Sequence, residues 1–84
     1  MIEQTFPIEV PKEGEEITFR FATDWCTETA IVDCRVMNCE GICIVHLQNH
    51  EGKALGRFLK YSPRDHQWYC VHLQNELSVE VYGN

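Results

Sequence analysis

The sequence predicts an all-β fold: a single small antiparallel barrel or two-layer sandwich of six to seven short strands, spanning residues 1–84. Apolar and polar residues alternate with a period of two in most segments, and the period of 3.6 that an amphipathic helix requires is almost absent. Glycine, proline, asparagine and aspartate cluster between these segments, as turn residues do. With 84 residues, 44% of them hydrophobic, the chain has room for one small domain.

Two alternating segments on either side of a turn predict an N-terminal hairpin. The turn contains Pro11, which fixes φ, and Gly14, which tolerates a left-handed conformation. Pairing position 6 with 21, 8 with 19 and 10 with 17 places six apolar side chains on one buried face. These side chains are Phe6, Ile8, Val10, Ile17, Phe19 and Phe21.

A loop, a strand and a turn are expected in the middle of the chain. Residues 23–28 break the alternation and predict a loop or a single helical turn. Residues 29–37 resume the strand pattern, with Val32, Cys34 and Val36 on one side. Residues 38–41 predict a turn that ends in glycine.

The second half of the chain predicts a three-stranded meander followed by a last strand at 77–82. Its strands lie near 42–48, 54–61 and 68–73. The pentapeptide Val-His-Leu-Gln-Asn occurs at 45–49 and again at 71–75, so the two outer strands are expected to meet the same packing demand. Turn lengths place Val45, Phe58 and Val71 on the core face.

With that register, the other face of the meander carries Arg57, His72, Tyr61 and Trp68, with His46 in the same row. Two interpretations are open. Other strands or a dimer mate cover this face, as in a small barrel, or the face is a recognition surface. Aromatic residues and arginine are the types enriched at interface hot spots.

The charge is −6 and is unevenly distributed. Residues 1–40 carry nine acids and three bases, whereas residues 41–84 carry four of each. An acidic surface repels nucleic-acid phosphates and suits a basic protein partner. Trp25 in the loop is a further candidate for partner binding, unless it folds back to close the end of the core. The acidic candidates are Asp24 and Glu28 on either side of it, and Glu15 and Glu16 at the hairpin turn.

Five cysteines without a secretion signal are typical of free thiols in a reducing cytoplasm. No apolar run is long enough to span a membrane. The nearest metal-like spacing includes Cys43 and His46, which point to opposite faces of a strand. Cys70 and His72 form the only Cys–His pair that suggests a nucleophile, and no oxyanion site or third group accompanies it. We therefore expect no cofactor, no metal and no catalysis.

These observations predict a small, acidic, cytoplasmic protein-binding module that is not an enzyme and does not bind nucleic acid directly. One hypothesis is an inhibitor of a basic or nucleic-acid-handling protein, because phage-encoded anti-defence proteins share its small size and acidity. One alternative is a homo-oligomeric structural or assembly protein, for example a homodimer. A second alternative is a metal or small-molecule binder that uses cysteine and histidine.

Overall fold

The computed structural model describes residues 5–23 and 26–83, which form a closed antiparallel barrel of six strands. The strands are β1 (Glu16–Phe21), β2 (Thr27–Met37), β3 (Cys43–Gln48), β4 (Ala54–Ser62), β5 (Gln67–His72) and β6 (Asn75–Gly83). Each strand pairs with the next in chain order, and β6 closes the ring by pairing with β1. The predicted all-β fold is confirmed, in its barrel form.

The interior of the barrel is apolar. Its largest fully buried side chains come from five of the six strands, and β5 adds the buried residues Trp68 and Cys70. The largest fully buried side chains are Tyr61, Phe19, Ile17, Leu47, Leu59, Val32, Val45, Val79 and Cys43.

The predicted N-terminal hairpin is wrong. Ile17 pairs with Ala30 and Gly83, so β1 has a strand on each side and no free edge for residues 6–10. Val10 is nevertheless buried and Phe6 packs against the core, whereas Ile8 is 96% exposed. Closure of the ring by β6 is the physical reason for the difference.

Residues 5–15 instead form an N-terminal strap, in which Gly14 and Glu15 exchange backbone hydrogen bonds with Val32 and Arg35 of β2 contacts several other residues. The Nη1 atom of Arg35 donates to the carbonyl oxygens of Val10 at 3.2 Å and Pro11 at 3.5 Å. The guanidinium also lies 4.2 Å from the ring centroid of Phe6 and pairs with Glu13 at 3.2 Å. This cation therefore helps to hold the strap over one end of the barrel, together with the backbone hydrogen bonds to Val32.

A register shift between Val32 and Cys34 interrupts the alternation of β2. Ala30 and Val32 face inward before the bulge, but Cys34 and Val36 are exposed after it. The prediction that Cys34 and Val36 share a face with Val32 is therefore wrong, because a bulge inserts one extra residue and inverts the faces that follow.

The predicted meander is confirmed as β3, β4 and β5, but its faces are inverted. The register between β4 and β5 is as expected, with Phe58 opposite Val71. Val45, however, lies opposite Leu59 rather than Phe58. Since a slip of one residue moves a whole strand face, Phe58 and Val71 lie on the outside of the barrel.

The two copies of the repeated pentapeptide have different structures. Val45 is buried inside the barrel, whereas Val71 belongs to the outward-facing set of β5. Leu73 lies in the turn before β6, is 83% exposed and has a φ of 58°. The expectation of equal packing is wrong, because the copies occupy different positions relative to the strand ends.

Candidate functional site

Tyr61 and Trp68 lie inside the barrel, so the expectation that they form an exposed face is wrong. Their exposed fractions are 2% and 8%, and their ring centroids are 4.7 Å apart. The Tyr61 hydroxyl donates to Oε2 of Glu9 at 3.1 Å and lies 3.3 Å from Nδ1 of His66. Burial, followed by the hydrogen bond to Glu9, raises the pKa of Tyr61. Both aromatic residues serve the core beneath the N-terminal strap.

Arg57 and His72 lie at the opposite end of the barrel, which we call the mouth. The inward-facing or rim residues of the mouth are Phe21, Glu28, Leu55, Arg57, His72 and Leu77. Arg57 pairs with Glu28, and its guanidinium carbon is 5.9 Å from the centroid of the Phe19 ring. The sequence assigned Arg57 and Glu28 to separate candidate surfaces, and the curvature of the barrel brings them together.

The other acidic candidates lie elsewhere or outside the described residues. Asp24 and Trp25 belong to the part of the chain that the structure does not describe. Glu16 begins β1 and pairs with Nε2 of His50 at 2.5 Å. Glu15 accepts a hydrogen bond from the backbone nitrogen of Lys12 at 3.1 Å. Both carboxylates are exposed at the turn, as predicted from the sequence pattern.

A row of apolar and aromatic side chains crosses the outside of four consecutive strands. The outer apolar face consists of Val36 of β2, Ile44 and His46 of β3, Phe58 of β4, and Tyr69 and Val71 of β5. His46, Phe58 and Val71 are cross-strand neighbours, and the rings of His46 and Phe58 are 5.8 Å apart. Outward positions of a solvated barrel are ordinarily polar, which makes this face the candidate for contact with a partner.

Sequence reasoning missed this face by one residue. It selected position 57 of β4 and position 72 of β5 as outward, whereas their neighbours Phe58 and Val71 face outward. Apolar residues occur at both parities in these strands, so alternation alone could not choose between them. One signal in the sequence could have indicated the outer face: Phe58 and Tyr69 are large residues that directly follow Arg57 and Trp68, which had been assigned to the outside.

The charged groups around the outer apolar face are mostly acidic. Lys60 lies between Ile44 and Tyr69 and pairs with Glu76 of β6. Asp33 in the bulge and Glu40 in the following turn are exposed. The turn between β4 and β5 carries one base and one acid next to each other, Arg64 and Asp65. The rim therefore has more carboxylates than bases.

The cysteines divide into two classes. Cys26, Cys34 and Cys39 are exposed, whereas Cys43 and Cys70 are buried. Burial raises the pKa of Cys43 and of Cys70, and the nearby cations Arg35 and Arg57 oppose that shift. The thiol of Cys70 is therefore held in its neutral form, which is unsuited to nucleophilic attack.

Within residues 5–23 and 26–83, no three His, Cys, Asp or Glu side chains are arranged to hold a metal ion. The same residues contain no helix with the length and hydropathy needed to cross a membrane. Comparison with known proteins finds no matching family model, no matching curated protein and no matching solved structure.

Proposed function

We propose that this chain is a small, acidic, non-enzymatic protein-binding module that docks a basic protein on its outer apolar face. The observation that carries the proposal is the outward-facing, partly exposed row formed by His46, Phe58 and Val71 with their neighbours on four strands. Aromatic residues at the centre of a contact surface contribute most of the binding free energy in protein complexes.

The size of the face is consistent with the centre of an interface. Six outward residues, on four strands spaced about 4.8 Å apart and at about 6.7 Å intervals along each strand, cover roughly 200 Å². A standard interface buries about 800 Å² on each partner, so the remaining area has to come from the polar rim. An apolar centre with a polar rim is the usual anatomy of a non-obligate interface.

Charge favours a basic partner over a second copy of this chain. The formal charge is −6, and four of the seven bases, Arg20, Arg35, Arg57 and Lys60, already pair with carboxylates. Two copies of the chain would repel each other, whereas a positively charged protein would be attracted and steered to the face. A protein that normally grips nucleic acid has such a surface, so inhibition of that protein is the activity we propose.

Affinity purification with matched variants tests the proposal. Wild-type protein, Phe58→Ser and Ile8→Ser are each used as bait in extracts of the source cells, and retained proteins are quantified by mass spectrometry. Ile8→Ser is the matched control, because Ile8 is also an exposed apolar residue but lies on the strap. We expect a basic protein that is retained by wild type and Ile8→Ser and is lost at least tenfold with Phe58→Ser.

Two further measurements complete the test. The association rate with the recovered partner should fall as ionic strength rises, since screening removes the steering. Native mass spectrometry of the purified chain should show a monomer. A wild-type dimer that dissociates in Phe58→Ser would overturn the proposal and indicate self-assembly. Retention of the same proteins by all three baits would also overturn it, because the partner would then bind another surface.

A further inference from the structure

The mouth of the barrel contains a cation with unused hydrogen-bond donors. A guanidinium carries five N–H donors. Among the described residues, the one acceptor that Arg57 contacts is the Oε2 atom of Glu28. That oxygen is shielded from solvent and has no hydrogen-bond partner in the described part of the chain apart from this ion pair. About a third of the Arg57 side chain is exposed, so part of it is accessible to a ligand.

A small cavity adjoins the exposed side of Arg57. It has a volume of about 180 Å³ and is lined by Leu55, Gly56, Arg57 and His72. Gly56 has no side chain to obstruct it, and the closest atom to a Cβ built there is Nε2 of His72 at 3.9 Å. The cavity therefore combines a fork of N–H donors and an imidazole with an aliphatic wall.

We propose that the mouth binds a carboxylate with a short apolar tail, which accepts two hydrogen bonds from Arg57 while the tail lies against Leu55. Planar carboxylates match the guanidinium fork in a bidentate geometry. Leu55 provides an apolar wall for the tail, and a volume of about 180 Å³ is enough for a short one. This site is on the inner side of the wall, opposite the outer apolar face, and does not depend on the function proposed above.

Glu28 gives the site a distinctive response to mutation. Its carboxylate already occupies one side of Arg57 and repels a second anion. Removing that charge by Glu28→Gln should strengthen binding of the ligand about fivefold or more, because the guanidinium is then free. Arg57→Gln should abolish binding, and Arg57→Lys, which keeps the charge but loses the fork, should weaken it about tenfold.

Nuclear magnetic resonance titration provides the test. Butyrate is added to ¹⁵N-labelled protein at constant ionic strength, and the shifts of the Arg57 Nε–Hε signal and of the amides of 55–57 and 72 are followed. We expect saturation with a Kd of about 1–10 mM, as for a ligand of this size. Butyramide, which has the same shape without the charge, should give no saturable shift.

N-Acetyl-leucine, which ends in a carboxylate like a peptide, distinguishes the two sources of the ligand. Tighter binding of butyrate indicates a free small acid, and tighter binding of N-acetyl-leucine indicates a chain terminus. Either result supports the site if Arg57→Gln removes it and the control Arg20→Gln, on the outer ion pair with Glu80, does not. Equal shifts with butyramide, no saturation up to about 50 mM, or unchanged binding in Arg57→Gln would each overturn the proposal.

Discussion

Two of the five cysteines face the barrel interior, and their environment controls their chemistry. Cys43 is fully buried and Cys70 is nearly so. In both cases burial is the largest cause of a raised pKa, because a thiolate would lose its hydration inside the barrel. The two interior thiols are packing groups, whereas the three exposed ones are open to reagents.

This difference predicts a loss of stability at alkaline pH. The ordinary thiol pKa is 9.0, and the folded state holds Cys43 and Cys70 above it. Above pH 9 the unfolded chain loses these protons more readily, so the free energy of unfolding should fall as the pH rises. Below pH 9 both thiols are neutral in the folded and unfolded states, so their contribution to the free energy of unfolding is fully present.

Urea unfolding followed by tryptophan fluorescence at pH 7.0, 8.5 and 10 measures the effect. The decline should be shallower in Cys43→Ala and Cys70→Ala, and unchanged in the control Cys39→Ala. Iodoacetamide at neutral pH should label Cys26, Cys34 and Cys39 and leave the other two unmodified. Rapid labelling of Cys43 or Cys70 in the folded protein would contradict the assignment.

At the residue scale, the sequence indicated the chemistry of Arg57, His72 and Glu28 but not their neighbourhood. The residue types were sufficient to mark these side chains as candidates. The meeting of Arg57 and Glu28 at the mouth depends on the curvature of the barrel, which brings the ends of β2 and β4 together although β3 lies between them. Pairwise alternation along a strand carries no information on which strands face each other once the sheet closes.

At the scale of elements, the N-terminal strap depends on Arg35. This side chain is mostly buried and joins β2 to the carbonyl oxygens of Val10 and Pro11, the Phe6 ring and Glu13. Hydrogen bonds from a charged donor contribute about 1.5–3 kcal/mol each at most. Arg35 therefore adds to an attachment that also includes the backbone hydrogen bonds of Gly14 and Glu15 with Val32 and the hydrogen bond from Tyr61 to Glu9.

Arg35→Met should destabilise the protein by about 2–4 kcal/mol, because two carbonyl acceptors and Glu13 lose their partner. The matched control is Arg20→Met, which removes an exposed ion pair with Glu80 and should cost about 1 kcal/mol or less. Urea denaturation measures both, and hydrogen exchange should show faster exchange of the Val10 amide in Arg35→Met. Equal effects of the two substitutions would contradict the assigned role of Arg35.

The elements that sequence reasoning placed correctly are those with local signals. The turns between β2 and β3, β3 and β4, and β4 and β5 contain glycine, asparagine or proline, and all were predicted. The bulge at Asp33 has no such signal, and it inverts the faces of the rest of β2. The predicted hairpin of residues 6–21 is wrong for a different reason. The edge of β1 that residues 6–10 were expected to occupy pairs instead with β6, which is distant in sequence.

At the scale of the molecule, closure of the barrel decides which face is inside. Pairing of β1 with β6 joins residues far apart in sequence, for example Thr18 with Tyr82. Once this ring forms, one face of every strand has to fill a narrow interior, and the other has to meet solvent or a partner. The apolar residues on both faces of β3, β4 and β5 then have separate functions, in packing and in the proposed contact.

Two phenylalanines test this division directly. Phe19 is fully buried, packs edge-to-face on Phe21 with centroids 5.8 Å apart, and lies on the strand that closes the ring. Phe58 lies on the outside, against His46. Phe19→Ala should cost about 3–5 kcal/mol by removing a core ring. For a chain of this length the total stability is on the order of 4–12 kcal/mol, so much of the variant population should be unfolded.

Phe58→Ala should cost about 1 kcal/mol or less, since the outer side chain leaves no closed cavity. Thermal unfolding followed by circular dichroism compares the two variants at equal protein concentration. The same Phe58 variant should lose the partner, while Phe19→Ala should lose the partner only in proportion to its unfolded fraction. If Phe58→Ala were as destabilising as Phe19→Ala, Phe58 would be a core residue, and the assignment of the outer apolar face as a contact surface would be wrong.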